Sequence, residues 1–199
     1  MMKRIALFAA PALVLAACAG TPETPEEILA AARSCNTPDE AVIPTVEGPA
    51  SSRVGIANTE ASEAYLAAVL EERCVYELPS GLIIRIRQSV DDAASPERGD
   101  LVTVHYTGQF PNGEVFDSSR TRGEPATFPS DRLIAGWVEA LPLMREGERW
   151  ELYIPGDLAY GSRGTGPIGP NQALVFDLEL IDLTGAEDEG EADAGDGAE

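Results

Sequence analysis

The chain has 199 residues, 44% of them apolar, and its 34 acidic side chains outnumber 14 basic ones for a net charge of −20. That length suits one compact domain with appendages rather than several domains. The acidic excess repels phosphate backbones and anionic surfaces, which excludes nucleic acid as a partner.

Lys3 and Arg4 precede an unbroken run of apolar and small residues from Ile5 to Ala17. As a helix it would span about 20 Å at ~1.5 Å per residue, short of a ~30 Å hydrocarbon layer. A basic start, a short apolar stretch and small residues at its exit predict a secretion signal over residues 1–17. Leu15-Ala16-Ala17-Cys18 resembles the lipobox of bacterial lipoproteins, in which the cysteine becomes the acylated N-terminus; an ordinary signal ending in a chance cysteine is the alternative. Removal of residues 1–17 leaves 12 arginines against 34 acids, a net −22 with no lysine. Cys35 and Cys74 then form an even pair in an exported chain, which predicts a disulfide against the alternative of two free thiols. Closing such a loop stabilises by roughly 4 kcal/mol in the chain-entropy account.

Residues 18–58 read as a lipid-anchored tether and irregular arm, small, acidic and rich in proline, with two helical turns at Glu26–Arg33. The next unit, 59–80, carries a helix from Glu60 to about Arg73, with Thr59 as its N-cap and Tyr65, Leu66, Val69 and Leu70 as its apolar stripe. Pro79-Ser80-Gly81 ends it, and from there to residue 184 the period becomes strand-like. Leu82, Ile84 and Ile86 alternate with arginines; Val102, Val104 and Tyr106 share one face. Asn112-Gly113 marks a hairpin, with Glu114 to Asp117 as the return strand. Trp150, Leu152 and Ile154 alternate, as do Leu174, Phe176, Leu178 and Leu180. One further helix is predicted from Leu133, Ile134, Trp137, Val138 and Leu141, stopped by Pro142. Alternating strands with one short amphipathic helix predict an α+β architecture, an antiparallel sheet wrapped on that helix, with an N-terminal helical and irregular extension. Residues 185–199, acidic and without a basic side chain, read as a disordered tail.

The usual catalytic constellations are missing from the sequence. The single histidine, His105, falls mid-strand with no nucleophile elbow to accompany it and reads as structural. One histidine and two paired cysteines make a poor zinc ligand set. Gly161, Gly164 and Gly166 precede prolines rather than a helix, so they form no phosphate loop. No metal or cofactor is expected.

Instead, aromatic motifs occur in series: Val104-His105-Tyr106-Thr107-Gly108, Val115-Phe116-Asp117-Ser118-Ser119, Ile134-Ala135-Gly136-Trp137, Leu158-Ala159-Tyr160-Gly161 and Leu174-Val175-Phe176-Asp177. Together they resemble the FKBP family of peptidyl-prolyl cis/trans isomerases over about Gly81 to Leu183. Arg122 through Pro129, Trp150 through Pro155 and Gly166 through Asn171 are most similar to its bacterial envelope subgroup, that of the macrophage infectivity potentiator. The resemblance implies a pocket between sheet and helix, with Trp137 as its floor. Tyr106, Phe116 and Phe176 would wall it, Leu133 and Ile134 would line the helix side, and Phe128 would support the wall. The Ile134 N–H would meet a ligand carbonyl, Tyr160 would offer a hydroxyl, and Asp117 would polarise the rim. From the residues alone Trp137 reads equally as core, Phe176 as shared between core and pocket, and Asp117 as the cap of the turn at Ser118-Ser119. The resemblance further implies proline-containing exported polypeptides as substrates, macrolide immunosuppressants as inhibitors, and attachment through acylated Cys18, with the chain on the outer membrane facing the periplasm. A non-catalytic module or holdase that binds proline segments is the alternative.

Overall fold

A computed structural model describes residues 21–35, 42–48, 52 and 55–184. The predicted signal, Cys18 and the acidic tail lie outside the described residues. The elements in chain order are α1 (Pro25–Ser34), α2 (Gly55–Leu70), β1 (Tyr76–Glu77), β2 (Ile83–Gln88), β3 (Leu101–Gln109) and β4 (Val115–Ser118). They continue with α3 (Ser119–Arg122), β5 (Ala126–Pro129), α4 (Ala135–Ala140), β6 (Arg149–Ile154) and β7 (Leu174–Thr184). The strands form one antiparallel sheet in the order β1-β2-β6-β7-β3-β4. Strand β5 pairs with the start of β3 and β4 with its end, so the two share one edge of that long strand.

The period-2 alternation gives the sheet two differently covered faces. On the front face Ile84, Ile86, Val102, Val104, Trp150, Leu152, Ile154 and Leu178 are buried together with Trp137, Ala140 and Leu141 from the α4 region. Helix α1 adds Ile28 and Ala32 to the same core. On the reverse face Ile83, Tyr153 and Val175 meet Tyr65 and Val69 of α2. Burying one large apolar side chain is worth roughly 1.5–3 kcal/mol, so the front face carries most of the hydrophobic stabilisation.

Residues 21–35 and 42–48 are more ordered than their composition predicts. Thr24 and Glu27 form a reciprocal capping box that starts α1, and Pro25 sits at the first turn, where its missing N–H costs nothing. Arg33, near the end of α1, makes paired hydrogen bonds to Glu148 and reaches the Leu143 carbonyl. A disulfide joins Cys35 to Cys74, with Cα atoms 5.6 Å apart. Residues 42–48 have no regular structure, yet the Val46 N–H donates to the Pro111 carbonyl at 2.9 Å and Asn112 Nδ2 donates to the Gly48 carbonyl at 3.1 Å.

Helix α2 differs from expectation at both ends. It begins at Gly55, so Thr59 lies inside it and donates its hydroxyl back to the Gly55 carbonyl at 2.9 Å instead of capping. Its buried stripe is Asn58, Ser62, Tyr65 and Val69, while Leu70 is exposed. Leu133 and Ile134 precede α4 rather than forming its first turn; Ile134 is the extended N-cap residue. Pro142 enters a single 3₁₀ turn at Leu141–Leu143 that closes the helix.

Candidate active site

Strand β3 sets the pocket's back wall. Its inward residues end in Tyr106 and Gly108, and the second is glycine for a steric reason. A Cβ there would lie 2.7 Å from the rings of both Phe116 and Phe176, so the two phenylalanines close over bare backbone. The register places Gly108 opposite Asp117 on β4 and Phe176 on β7, which draws both rings to the same point. Trp137, on the first turn of α4, meets them from the other side. Its ring packs edge-on against Tyr106, Phe176 and Phe128, with centroids 5.4, 5.2 and 6.4 Å away. Phe116 meets Phe176 edge-to-face at 5.7 Å. Such edge-on pairs are favoured by the aromatic quadrupoles, each contributing ~0.5–1.5 kcal/mol beyond buried area.

These rings enclose a pocket of about 560 Å³. The nine residues singled out by motif all line it: Tyr106, Phe116, Asp117, Phe128, Leu133, Ile134, Trp137, Tyr160 and Phe176. Trp137 and Phe176 are 4% and 5% exposed, so both belong to the core and to the pocket at once. The Trp137 indole Nε1 is buried and has no hydrogen-bond partner among the described residues. Tyr160 stands at the mouth, 40% exposed.

The rim's polar groups form a triad of contacts. The Tyr106 hydroxyl donates to Asp117 Oδ2 at 2.5 Å, and Arg122 donates to Asp117 Oδ1 and, at 3.1 Å, to the Tyr106 hydroxyl. The Arg122 guanidinium also lies over the Tyr106 ring, 5.6 Å from its centroid. Partial burial pushes the Asp117 carboxyl up, but the Tyr106 hydroxyl and the Arg122 guanidinium outweigh it and hold the group below its ordinary value. Burial, with the neighbouring carboxylate, raises the Tyr106 hydroxyl, and burial followed by the Asp117 charge raises that of Tyr160. Both phenols therefore stay protonated at neutral pH.

The turn at Ser118-Ser119 is capped by Ser118, whose hydroxyl accepts the Thr121 N–H at 3.2 Å, so Asp117 is free for the rim. His105 points to the other face of β3, where Nδ1 lies 3.0 Å from the Ser119 hydroxyl, away from the pocket. Sequence reasoning missed Arg122, which fixes the rim through Asp117 and Tyr106, and Arg132, Ala135 and Ala159, which line the pocket. An acid two residues before a one-turn helix and a base at its last position, Asp117 and Arg122, were the available signal for the first.

A sheet closed on one short helix, with an aromatic pocket at the seam, defines a class of small α+β domains. The chain belongs to the FKBP-type peptidyl-prolyl cis-trans isomerase family, whose model matches residues 92–181. The "FK506-binding protein 1" of Debaryomyces hansenii is 45% identical over 108 residues, which cover 53% of this chain and 96% of that one. The "Peptidyl-prolyl cis-trans isomerase Mip" of Coxiella burnetii is 47% identical over 127 residues, 63% of this chain and 55% of that protein. The chain thus spans about half the length of its Mip-type relatives. Among solved structures, a peptidyl-prolyl cis-trans isomerase from Pseudomonas syringae is similar with a TM-score of 0.60 and 33% identity, covering 70% of this chain and 98% of that one.

Proposed function

We propose that this protein is a peptidyl-prolyl cis/trans isomerase that acts on proline-containing exported polypeptides. The observation that carries the reading is the ring cage of Trp137, Tyr106, Phe116 and Phe176, enclosing space for a proline ring beside a rim of fixed donors. Rotation about an X-Pro bond faces a ~18–20 kcal/mol barrier and takes tens to hundreds of seconds unaided. The twisted amide has lost resonance and is less charge-separated than the planar one, so a water-poor aromatic pocket favours it. Trp137 is the floor for the proline ring. Ile134, an N-cap residue whose N–H has no acceptor within α4, offers that N–H to a substrate carbonyl. Tyr160 offers a protonated hydroxyl at the mouth, and Asp117, fixed by Tyr106 and Arg122, keeps the rim polarised without titrating near neutral pH. Lowering the barrier by about 6 kcal/mol brings the flip to milliseconds, at ~1.4 kcal/mol for each factor of ten.

The resemblance at Cys18 and the names of the relatives, among them "Outer membrane protein MIP" of Legionella longbeachae, support a place in the bacterial envelope, tethered through acylated Cys18. The aromatic cage also suits macrolide inhibitors of the FK506 type. The test is cis/trans exchange of short X-Pro peptides, with Trp137→Leu as the paired variant. Acceleration by the parent protein that falls at least about a hundredfold in the folded variant supports the reading, since that corresponds to ~2.7 kcal/mol of lost transition-state stabilisation. A folded parent that accelerates no peptide overturns it in favour of a non-catalytic binding module.

A further inference from the structure

We infer that Asn58 and Ser62, buried on α2 and outside the matched region 92–181, are positioning residues that hold the Tyr160 loop over the pocket; this rests on the isomerase reading above.

The loop between β6 and β7 leaves the sheet at Pro155, carries Tyr160 to the pocket mouth, and returns through Pro170–Ala173. Its two limbs are fastened together at Asn171. The Asn171 N–H donates to the Gly161 carbonyl at 2.8 Å, one residue from Tyr160. On the outgoing limb, a Cβ at Gly156 would lie 2.5 Å from the Asn171 carbonyl carbon, so the two backbones are in direct contact.

Helix α2 grips this junction from the reverse face of the sheet. Asn58 Nδ2 donates to the Pro170 carbonyl at 2.7 Å and to the Ser52 carbonyl at 2.7 Å, while its Oδ1 accepts the Ser52 N–H at 2.8 Å. One turn on, the Ser62 hydroxyl accepts the Ala173 N–H at 2.8 Å and donates to the Asn171 carbonyl at 3.3 Å. Both residues are almost wholly buried, at 3% and 4% exposed. A helix that served only as apolar cover would place hydrophobic side chains there, because buried polar groups are costly unless fully bonded. Here the Ser62 hydroxyl is committed to the loop and the Asn58 amide to the loop and Ser52. The Tyr160 side chain has no hydrogen-bond partner among the described residues, so its position over the pocket depends on the backbone beneath it. The path from Asn58 or Ser62 to Tyr160 runs through one shared residue, Asn171, and its neighbours.

The experiment uses the whole chain, with Asn58→Ala, the milder Ser62→Ala, and Thr59→Ala as a control, since the Thr59 hydroxyl bonds only within its own helix. Amide hydrogen exchange is followed across 159–171, and kcat and KM are measured in parent and Tyr160→Ala backgrounds. Asn58→Ala is expected to speed loop exchange and lower kcat/KM about fivefold each, with the kinetic loss mainly in KM and Ser62→Ala changing both in the same direction. With Tyr160 already removed, the same substitutions should leave kcat/KM unchanged, because partners in one path are not additive. Loop exchange no faster than in Thr59→Ala, or a kinetic loss that adds in full to that of Tyr160→Ala, overturns the proposal. If Asn58→Ala does not fold, Ser62→Ala decides by the same readouts. If the parent itself shows no isomerase activity, the functional reading fails, and loop exchange alone still decides the brace.

Discussion

The two faces of the sheet are built on opposite principles although they share strands β6 and β7. On the front, alternate residues meet aromatic rings, and apart from the rim the charged groups buried there are gathered at Glu148, which takes hydrogen bonds from Trp150 and Arg33. On the reverse, the intervening residues bury charge: Arg85 is 1% exposed and pairs with Glu151 at 3.1 Å, and Glu151 also accepts the Tyr153 hydroxyl at 2.7 Å and faces Arg87 at 3.4 Å. Burial pushes the Glu151 carboxyl up, against the pull of the Tyr153 hydroxyl and the arginines. The front face thus leaves an aromatic pocket at its edge, whereas the reverse face is filled by side chains around a buried ion pair, in which Arg85 Nε and Nη1 lack a hydrogen-bond partner among the described residues. Function and stability should therefore separate by face, and substitutions can break or sharpen that separation.

The largest effect is expected on the reverse face. Glu151→Ala leaves Arg85 buried without its nearest carboxylate, which should cost about 3–5 kcal/mol in urea unfolding. The kcat/KM of the folded fraction should stay at the parent value; a large rate loss would break the separation. Gly108→Ala is next and should do both kinds of damage. Its methyl collides with Phe116 and Phe176, costing ~1–3 kcal/mol as overpacking while displacing the pocket wall, so unfolding midpoint and isomerase rate should fall together.

Asp117→Asn should act on the rate almost alone. The Asp117–Arg122 pair is well exposed, and such pairs contribute only ~0–1 kcal/mol to stability, yet the substitution removes the charge that fixes the rim. A drop of about tenfold in kcat/KM, or ~1.4 kcal/mol at the transition state, with an unchanged unfolding curve would sharpen the contrast between faces. The smallest effect is that of pH. Because the folded carboxyl of Asp117 is depressed, its ionised form is favoured above the ordinary carboxylate value and is lost only as pH falls through the lower folded value. The phenols of Tyr106 and Tyr160 are raised, so they do not ionise near neutrality. The isomerase rate should be flat from about pH 5 to pH 9 and decline only below about pH 4, the ordinary carboxylate range. A bell centred near pH 7 would mean that a titrating group acts in the pocket.

The reverse face also shows where a clean separation ends. Asn58 and Ser62 belong to the stabilising side by position but contact the loop that carries Tyr160, so α2 reaches that loop through hydrogen bonds from its side chains to the loop backbone.

The sequence by itself determined the alternation of Val102, Val104 and Tyr106, the hairpin at Asn112-Gly113, the short helix bearing Trp137 and, through its motif series, the nine residues that meet in one pocket. These signals are local or carried by fixed motifs: a period of two or 3.6 states which side of an element is apolar wherever the element is placed. Only the tertiary structure decided what each side faces. The α2 stripe buries Tyr65 and Val69 as its period predicts, but not Leu70, and it adds Asn58 and Ser62, which look like surface residues until Pro170, Asn171 and Ala173 arrive from more than a hundred positions away. Arg122 became part of the rim only when α3 turned it back over Tyr106. Gly108 acquired its purpose when two phenylalanines from different strands converged on it. Hydrogen-bond satisfaction and close packing are properties of neighbours in space, and periodicity along the chain carries no record of them.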